Sequence, residues 1–169
     1  RRRHSFPTRR SSDLCIFGWS YGGYAALAGG ALTPDRYKCV ISGAGPSDLV
    51  RMLDFEKDEE GRGSAAYAYW RNVIGDPVAD REALNAVSPR LLAANFKAPV
   101  LLLHGVEDEV VPVEQSRLMK ASLEAAGKPV RLVEFPEEGH GLSNVADTEK
   151  LYQELEKFLG EHLPAETPH

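Results

Sequence analysis

Several features that would place the sequence in a specialised class of protein are missing. No apolar run approaches the ~20 residues of a transmembrane helix, so membrane insertion is not expected. There is no H-E-x-x-H motif and no paired-cysteine spacing, so no metal site is predicted. The two cysteines, Cys15 and Cys39, are too few for a disulfide framework. Because both lie in apolar runs, we predict buried free thiols.

An excess of positive charge is missing as well. The chain has 20 Lys and Arg against 25 Asp and Glu, a formal net charge of −5 at pH 7. A general nucleic-acid binder presents a basic face, so this balance argues against nucleic-acid binding. The chain does have 169 residues, 43% of them hydrophobic, which is enough for one domain with a packed core.

The first fourteen residues, RRRHSFPTRRSSDL, differ in composition from the rest. They hold five of the 20 basic residues and one of the 25 acidic ones, and they contain no initiator methionine. The stretch resembles translated sequencing-adapter read-through, so residues 1–14 are predicted to be a non-native leader. A basic interaction arm and an Arg/Ser-rich transit peptide are the alternatives. A native targeting signal would then lie outside the chain, and no localisation is predicted.

Short apolar runs alternate with stretches of helical periodicity. The runs are predicted to be buried parallel strands, at residues 14–18, 39–42, 100–104 and 130–135. Helices are predicted at residues 21–32, 64–74, 80–86, 113–126 and 145–162. One face of the last helix is apolar and is expected to pack inward, through Leu151, Leu155, Phe158 and Leu159. The polar stretch 54–63 is predicted to be a solvated loop. The alternation predicts an α/β fold, with a mostly parallel sheet flanked by helices.

A G-x-S-x-G motif, Gly18 to Gly22, directly follows the first predicted strand. In this motif the serine sits on a sharp strand-to-helix turn, and the two glycines let neighbouring backbone pass close by. An apolar strand ends at Gly18 and a helix begins at Tyr21, which is the context that the motif requires. A Gly/Ser-rich turn without a catalytic role is the alternative. We predict that Ser20 is a nucleophile.

A nucleophilic serine needs a base, and the base needs an orienting acid. Two later strands end in H-G-V-E-D and P-E-E-G-H-G, which contain Asp108 and His140. The carboxyl ends of parallel strands meet at one edge of a sheet, so both side chains are expected beside Ser20. Their order along the chain, Ser, Asp, His, is the order this motif uses.

Other histidines and carboxylates lie near these strand ends or elsewhere in the chain. His104 precedes the acid and is predicted to close a turn by hydrogen bonding. Glu107 and Glu109 flank Asp108 and remain alternative orienting acids. Glu137 and Glu138 are predicted to be ordinary surface carboxylates. The remaining histidines lie in the leader and near the carboxyl end, at His4, His162 and His169.

Three segments together resemble the catalytic domain of the prolyl oligopeptidase family of serine peptidases: GWSYGGYAAL, the run from SPRLLAANFK through HGVEDEVVPVEQS to AAGKPV, and EFPEEGHG. The resemblance implies that residues 15–163 are the C-terminal half of an α/β-hydrolase fold, followed by a tail at 164–169. It implies Ser20 as nucleophile, Asp108 as orienting acid and His140 as general base. The backbone N–H of Tyr21 would be an oxyanion donor, and Val111 would line the pocket for the acyl-side residue.

The resemblance begins in the middle of that domain. The first half of the hydrolase sheet is absent from the chain, and so is the β-propeller that usually precedes it. The tyrosine hydroxyl that serves the family as second oxyanion donor belongs to this missing half. Proline-specific members carry aromatic pocket walls where this chain has GPSDLV at residues 45–50, which argues against a proline preference. Tyr67, Tyr69 and Trp70 are expected to pack on a helix face, and the alternative is that they supply aromatic surface to the pocket.

The most direct interpretation is a serine peptidase that cleaves peptide substrates through an acyl-enzyme and needs no cofactor. An esterase or acyl hydrolase on the same fold is the alternative, because the triad does not distinguish an ester from an amide. A third interpretation is that the chain as it stands is a fragment without catalysis.

Overall fold

The computed structural model describes residues 14–163. The predicted tail and all of the predicted leader except Leu14 lie outside the described residues, so both remain predictions.

Within residues 14–163, four parallel strands form a single sheet in the order in which they occur in the chain. They are β1 (Cys15–Trp19), β2 (Cys39–Gly43), β3 (Val100–Gly105) and β4 (Val130–Phe135). Every residue of β2 and β3 is buried, as expected for inner strands with helices on both faces. The predicted parallel sheet is therefore confirmed, with strand bounds within one residue of those expected.

In the described part of the chain, six α-helices connect and cover the strands: α1 (Tyr21–Leu32), α2 (Leu49–Glu60), α3 (Ala65–Ile74), α4 (Arg81–Ala86), α5 (Glu114–Ala125) and α6 (Val145–His162). Short 3-10 segments lie at Pro34–Arg36 and Pro89–Asn95. None of the helices in residues 14–163 combines the length and apolar character that a membrane span requires.

Helix α2 corrects the prediction of a solvated loop at 54–63, since residues 54–60 are helical. Asp48 is the N-cap of the helix, and its side chain accepts a hydrogen bond from the N–H of Arg51. Its first turns bury Leu49, Val50, Met52 and Leu53, and its last three residues, 58–60, are exposed. The helix ends at Gly61, whose φ of 87° suits glycine. Polar composition alone did not distinguish the outer end of a helix from a loop.

The core lies on both faces of the sheet. Along β3, Val100 and Leu102 face α1 and α5, whereas Leu101 and Leu103 face α6. This alternation follows from the two-residue period of a strand. The predicted apolar face of α6 is confirmed, because its four residues pack in the second of these layers.

Cys15 and Cys39 form a disulfide, so the prediction of two free thiols was wrong. They are register partners at the starts of β1 and β2, with Cα atoms 4.6 Å apart. Such a separation suits a disulfide. Twenty-four residues and a crossover helix separate the two cysteines along the chain, so their pairing depends on strand register.

Candidate active site

The turn between β1 and α1 holds Ser20 in a strained backbone conformation. Its φ is 57°, in the left-handed region that non-glycine residues rarely adopt. The Ser20 N–H donates to the Gly43 carbonyl over 2.8 Å, which fixes the turn against β2. A Cβ at Gly18 would collide with the backbone of Gly22, and one at Gly23 would collide with the backbone of β2 and the loop after it. Gly22 itself has room for a side chain, so the close approaches are made at Gly18 and Gly23.

The three residues predicted as nucleophile, base and acid form a continuous hydrogen-bond chain. His140 Nε2 lies 2.8 Å from Ser20 Oγ, and His140 Nδ1 lies 2.8 Å from Asp108 Oδ2. An ionised carboxylate only accepts hydrogen bonds, so Nδ1 carries the proton and Nε2 is left to accept from the Ser20 hydroxyl. His140 itself is partly exposed.

The Asp108 side chain is completely buried and fully engaged. Its Oδ1 accepts from the N–H groups of Val110 at 2.9 Å and Val111 at 2.8 Å. Burial raises the pKa of Asp108, but hydrogen bonds from His104, Val111, His140 and Val110 outweigh it and lower the pKa to about 2. Asp108 is therefore an anion at neutral pH, held in one orientation by its neighbours.

His104 is buried in the turn that follows β3. Its Nε2 donates to the Val111 carbonyl over 2.8 Å and lies 3.3 Å from Asp108 Oδ2, and its Nδ1 accepts from Ser116 Oγ over 2.7 Å. The predicted turn-closing hydrogen bond is thus confirmed. The contact with Asp108 was not predicted, although the spacing of four residues places both at one strand end.

The carboxylates around the site divide into two groups. Glu107, Glu109 and Glu137 are exposed, and the acid that contacts His140 Nδ1 is Asp108. Glu138 is buried, only 1% exposed, so the prediction of a surface carboxylate was wrong for this residue.

Glu138 organises the loop that holds His140. One carboxylate oxygen accepts from the N–H and hydroxyl of Ser143 at 2.8 and 3.0 Å, and the other accepts from the Asn144 N–H at 2.7 Å. The backbone hydrogen bonds from Ser143 and Asn144 hold the pKa of Glu138 below its usual value. The Glu138 carbonyl accepts from the Glu107 N–H at 3.0 Å, which joins the loops after β3 and β4. The Ser-Asn pair at the start of α6 was the available sequence signal.

A second contact joins the His140 loop to the turn that carries Ser20. The indole Nε1–H of Trp19 donates to the His140 carbonyl over 2.8 Å. The Trp19 ring lies directly over Gly43, where any side chain would overlap it. The residue before the predicted nucleophile therefore helps to position the predicted base.

An apolar cavity of about 380 Å³ opens beside Ser20. Val111, which the family resemblance suggested as a pocket residue, lines it, and so does Tyr21. Trp70 also lines the cavity, so packing on a helix face does not fully describe its position. Tyr67 is buried as expected, and Tyr69 is exposed and stacks edge-on against Trp70 with ring centroids 5.2 Å apart.

Tyr21 is the first residue of α1, directly after Ser20. The first N–H groups of a helix have no acceptor within the helix and lie at the positive end of its dipole. The Tyr21 N–H is therefore suited to meet negative charge that develops on an atom bonded to Ser20 Oγ. The Tyr21 side chain is 76% exposed and leaves this approach open.

Comparisons with known proteins agree with this geometry. A family model described as the prolyl oligopeptidase family matches residues 6–166. Dipeptidyl aminopeptidase BIII of Pseudoxanthomonas mexicana is 32% identical over 160 residues, covering 89% of this chain and 22% of that protein. Acylaminoacyl peptidase of Pyrococcus horikoshii superposes with a TM-score of 0.80 at 29% identity, covering 94% of this chain and 26% of that one.

A puromycin-hydrolyzing peptidase of Mycobacterium tuberculosis also superposes with a TM-score of 0.80, at 30% identity over 90% of this chain and 22% of that one. These structural neighbours are α/β-hydrolase peptidases, so the predicted fold class is confirmed. The chain spans about a fifth of the length of the curated relatives it matches.

Proposed function

The chain belongs to the prolyl oligopeptidase family of serine peptidases, and from this we propose that it carries the nucleophile, base and acid of a peptide hydrolase. Ser20 is the nucleophile, His140 the general base and Asp108 the orienting acid. The observation that carries the proposal is the hydrogen-bond chain from Ser20 Oγ through His140 to Asp108, with both links at 2.8 Å. The strained turn at Ser20 supports it, because such strain gathers at functional sites.

The reaction proceeds in two halves. Ser20 Oγ attacks the substrate carbonyl carbon as its proton passes to His140 Nε2, and the Tyr21 N–H donates to the resulting oxyanion. The C–N bond then breaks, and His140 returns the proton to the leaving amine, which gives the acyl-enzyme. A water molecule, deprotonated by His140, attacks the acyl carbon; the C–Oγ bond breaks and the proton returns to Ser20. Asp108 stabilises the imidazolium in both halves and keeps its own charge.

The apolar cavity beside Ser20 receives the side chain of the acyl-side residue, whose carbonyl Ser20 attacks. Its walls include Val111 from the loop after β3, Met52 from α2 and Trp70 from α3. These apolar walls favour the binding of an apolar substrate side chain, because binding removes its surface from water. The cavity and Ser20 are adjacent, so a bound side chain also aligns the scissile carbonyl with Oγ.

The complete enzyme is proposed to be longer than this chain. The chain covers about a fifth of its curated relatives, and within residues 14–163 β1 is an edge strand. We infer that further sheet strands pack beside β1 in the complete enzyme and supply a second oxyanion donor. A β-propeller that precedes the hydrolase domain is part of the same proposal.

The proposed function is tested by labelling the complete protein with a fluorophosphonate and comparing a peptide amide with its matched ester. We expect the label on Ser20, loss of hydrolysis in proportion to labelling, and turnover of both substrates. Because the same three residues serve both reactions, turnover of the ester without the amide would favour an acyl hydrolase. Full hydrolysis by protein in which Ser20 is quantitatively labelled would contradict the proposal.

Glu138→Gln is expected to lower amide hydrolysis by about 10- to 100-fold, because a misplacement near 1 Å costs about 10² in rate. Glutamine replaces one acceptor oxygen with an NH₂ group, which then faces a donor N–H of Ser143 or Asn144. The control is Glu137→Gln, which changes the same charge on the adjacent exposed residue. Hydrolysis by Glu138→Gln equal to that of Glu137→Gln, with both variants folded by thermal melting, would refute this role.

A further inference from the structure

Glu56 is a carboxylate in the wall of the otherwise apolar cavity beside Ser20. It lies on the face of α2 that also brings Leu49 and Met52 to the cavity, at spacings of three and four residues that share one side of a helix. With a rise of 1.5 Å per residue, Glu56 is roughly 10 Å further along the helix axis than Leu49. Leu49 follows the end of β2, next to the strand end that carries Ser20.

The surroundings of Glu56 in this cavity are apolar. Trp70, Val73 and Ile74 of α3 line it as well. The hydroxyl of Tyr24, another lining residue, already donates to the Val87 carbonyl over 3.2 Å. Among the described residues that line the cavity, Glu56 is the only one with a formal charge at neutral pH.

No basic side chain within residues 14–163 pairs with Glu56. The ammonium of Lys57 contacts Asp54 and Asp58 at 2.8 and 3.5 Å, and the guanidinium of Arg51 lies 3.7 Å from Asp48. Burial, and secondly the charge of Glu60, raise the pKa of Glu56. Both effects disfavour the carboxylate, and a cation bound in the cavity would relieve them.

We propose that Glu56 selects substrates whose acyl-side residue is lysine or arginine. The inference rests on the proposed function, in which this cavity receives that residue's side chain. The methylene stem of a basic side chain packs against the apolar walls, and its cationic head reaches the carboxylate along α2. An aromatic or aliphatic side chain of similar size fills the cavity but covers Glu56 without supplying a counter-charge. Binding of such a neutral side chain is therefore disfavoured.

The test uses the complete protein and a set of peptide amides that differ only in the acyl-side residue: lysine, arginine, norleucine and phenylalanine. Norleucine matches the lysine stem without the ammonium. We expect kcat/KM for lysine or arginine to exceed that for norleucine by roughly 10-fold or more, the size of a charge-assisted contact in a partly buried site. Glu56→Gln should bring this ratio close to one, because kcat/KM falls for lysine and arginine and rises for norleucine once the buried charge is removed.

Glu59→Gln is the matched control, because it removes the same charge from an exposed position of α2 that does not line the cavity. It should leave the lysine-to-norleucine ratio unchanged. A ratio at or below one in the unmodified protein, or a ratio that Glu56→Gln leaves unchanged, would overturn the role of Glu56. Fluorophosphonate labelling distinguishes failure of this inference from failure of the proposed function. If Ser20 is labelled but neutral substrates are preferred, only the role of Glu56 is refuted. If Ser20 is not labelled and no substrate is hydrolysed, the proposed function is refuted as well.

Discussion

Ser20→Ala and His140→Ala are each expected to lower peptide hydrolysis by the complete enzyme by about 10⁴-fold or more. Without Ser20 Oγ there is no nucleophile, and without His140 no group accepts its proton, since Nε2 is the atom within 2.8 Å of Oγ. The two losses should not add in the double variant, because the residues act as a unit. Steady-state kinetics on the three variants checks this, and additive losses would contradict the shared step.

Asp108→Asn should cost a similar factor for a different reason. The asparagine amide can turn its NH₂ towards His140 Nδ1, which then accepts; Nε2 carries the proton and no longer accepts from Ser20. The amide oxygen can still accept from the N–H groups of Val110 and Val111, but the negative charge that stabilises the imidazolium is lost. Glu107→Gln is the control, since Glu107 is exposed and flanks the acid. Near-normal turnover by Asp108→Asn together with loss in Glu107→Gln would show that the acid is assigned wrongly.

Residues 1–169 expressed alone are expected to aggregate and to be nearly inactive. The two sheet edges of the described structure differ in their protection. Edge strand β4 carries Arg131, paired with Glu154 and Glu161 at 3.2 and 3.1 Å. Edge strand β1 reads CIFGW, without a charge or a proline, and Phe17 is 53% exposed. Unprotected apolar edges promote pairing between chains.

The hydrolytic activity of residues 1–169 alone is expected to be low as well. Lack of one oxyanion donor costs roughly 10²–10³ in rate, and a displacement near 1 Å costs about another 10². Size-exclusion chromatography with fluorophosphonate labelling, run beside the complete protein, measures both effects. Phe17→Lys is a useful variant because it places a charge on the exposed edge and leaves Ser20, Asp108 and His140 unchanged, so it should reduce association without restoring activity. A monodisperse chain labelled at Ser20 as fast as the complete protein would overturn the expectation.

Much of the site was accessible from the sequence because its residues follow strand ends. A buried parallel strand is a strong local signal, and the loop that follows it must lie at the carboxyl edge of the sheet. Ser20, Asp108 and His140 were found in this way, and the structure brings them into one hydrogen-bond chain. His104 was predicted to close a turn on the same grounds.

What the sequence did not reveal depends on contacts between distant segments. The disulfide of Cys15 and Cys39 follows from strand register, which composition does not report. The burial of Glu138 follows from N–H groups at the start of α6, which satisfy a carboxylate that would otherwise stay in water. Glu56 lies in a charge-rich stretch whose composition does not distinguish it from its neighbours. Only the packing of α2 against α3 shows that it lines the cavity.

The loops after β3 and β4 are joined by backbone hydrogen bonds from Val106 to Phe135 at 2.9 Å and from Glu107 to Glu138 at 3.0 Å. Asp108 and His140, the proposed acid and base, thus lie on two loops that are joined to each other, and Ser20, the proposed nucleophile, lies on the separate turn after β1. The Trp19 indole connects this turn to the His140 loop. A slight sliding of β1 along β2 would change the separation of Ser20 and His140 and leave that of His140 and Asp108 intact. The site would lose its alignment at the Ser20–His140 contact first, with its acid–base pair still assembled.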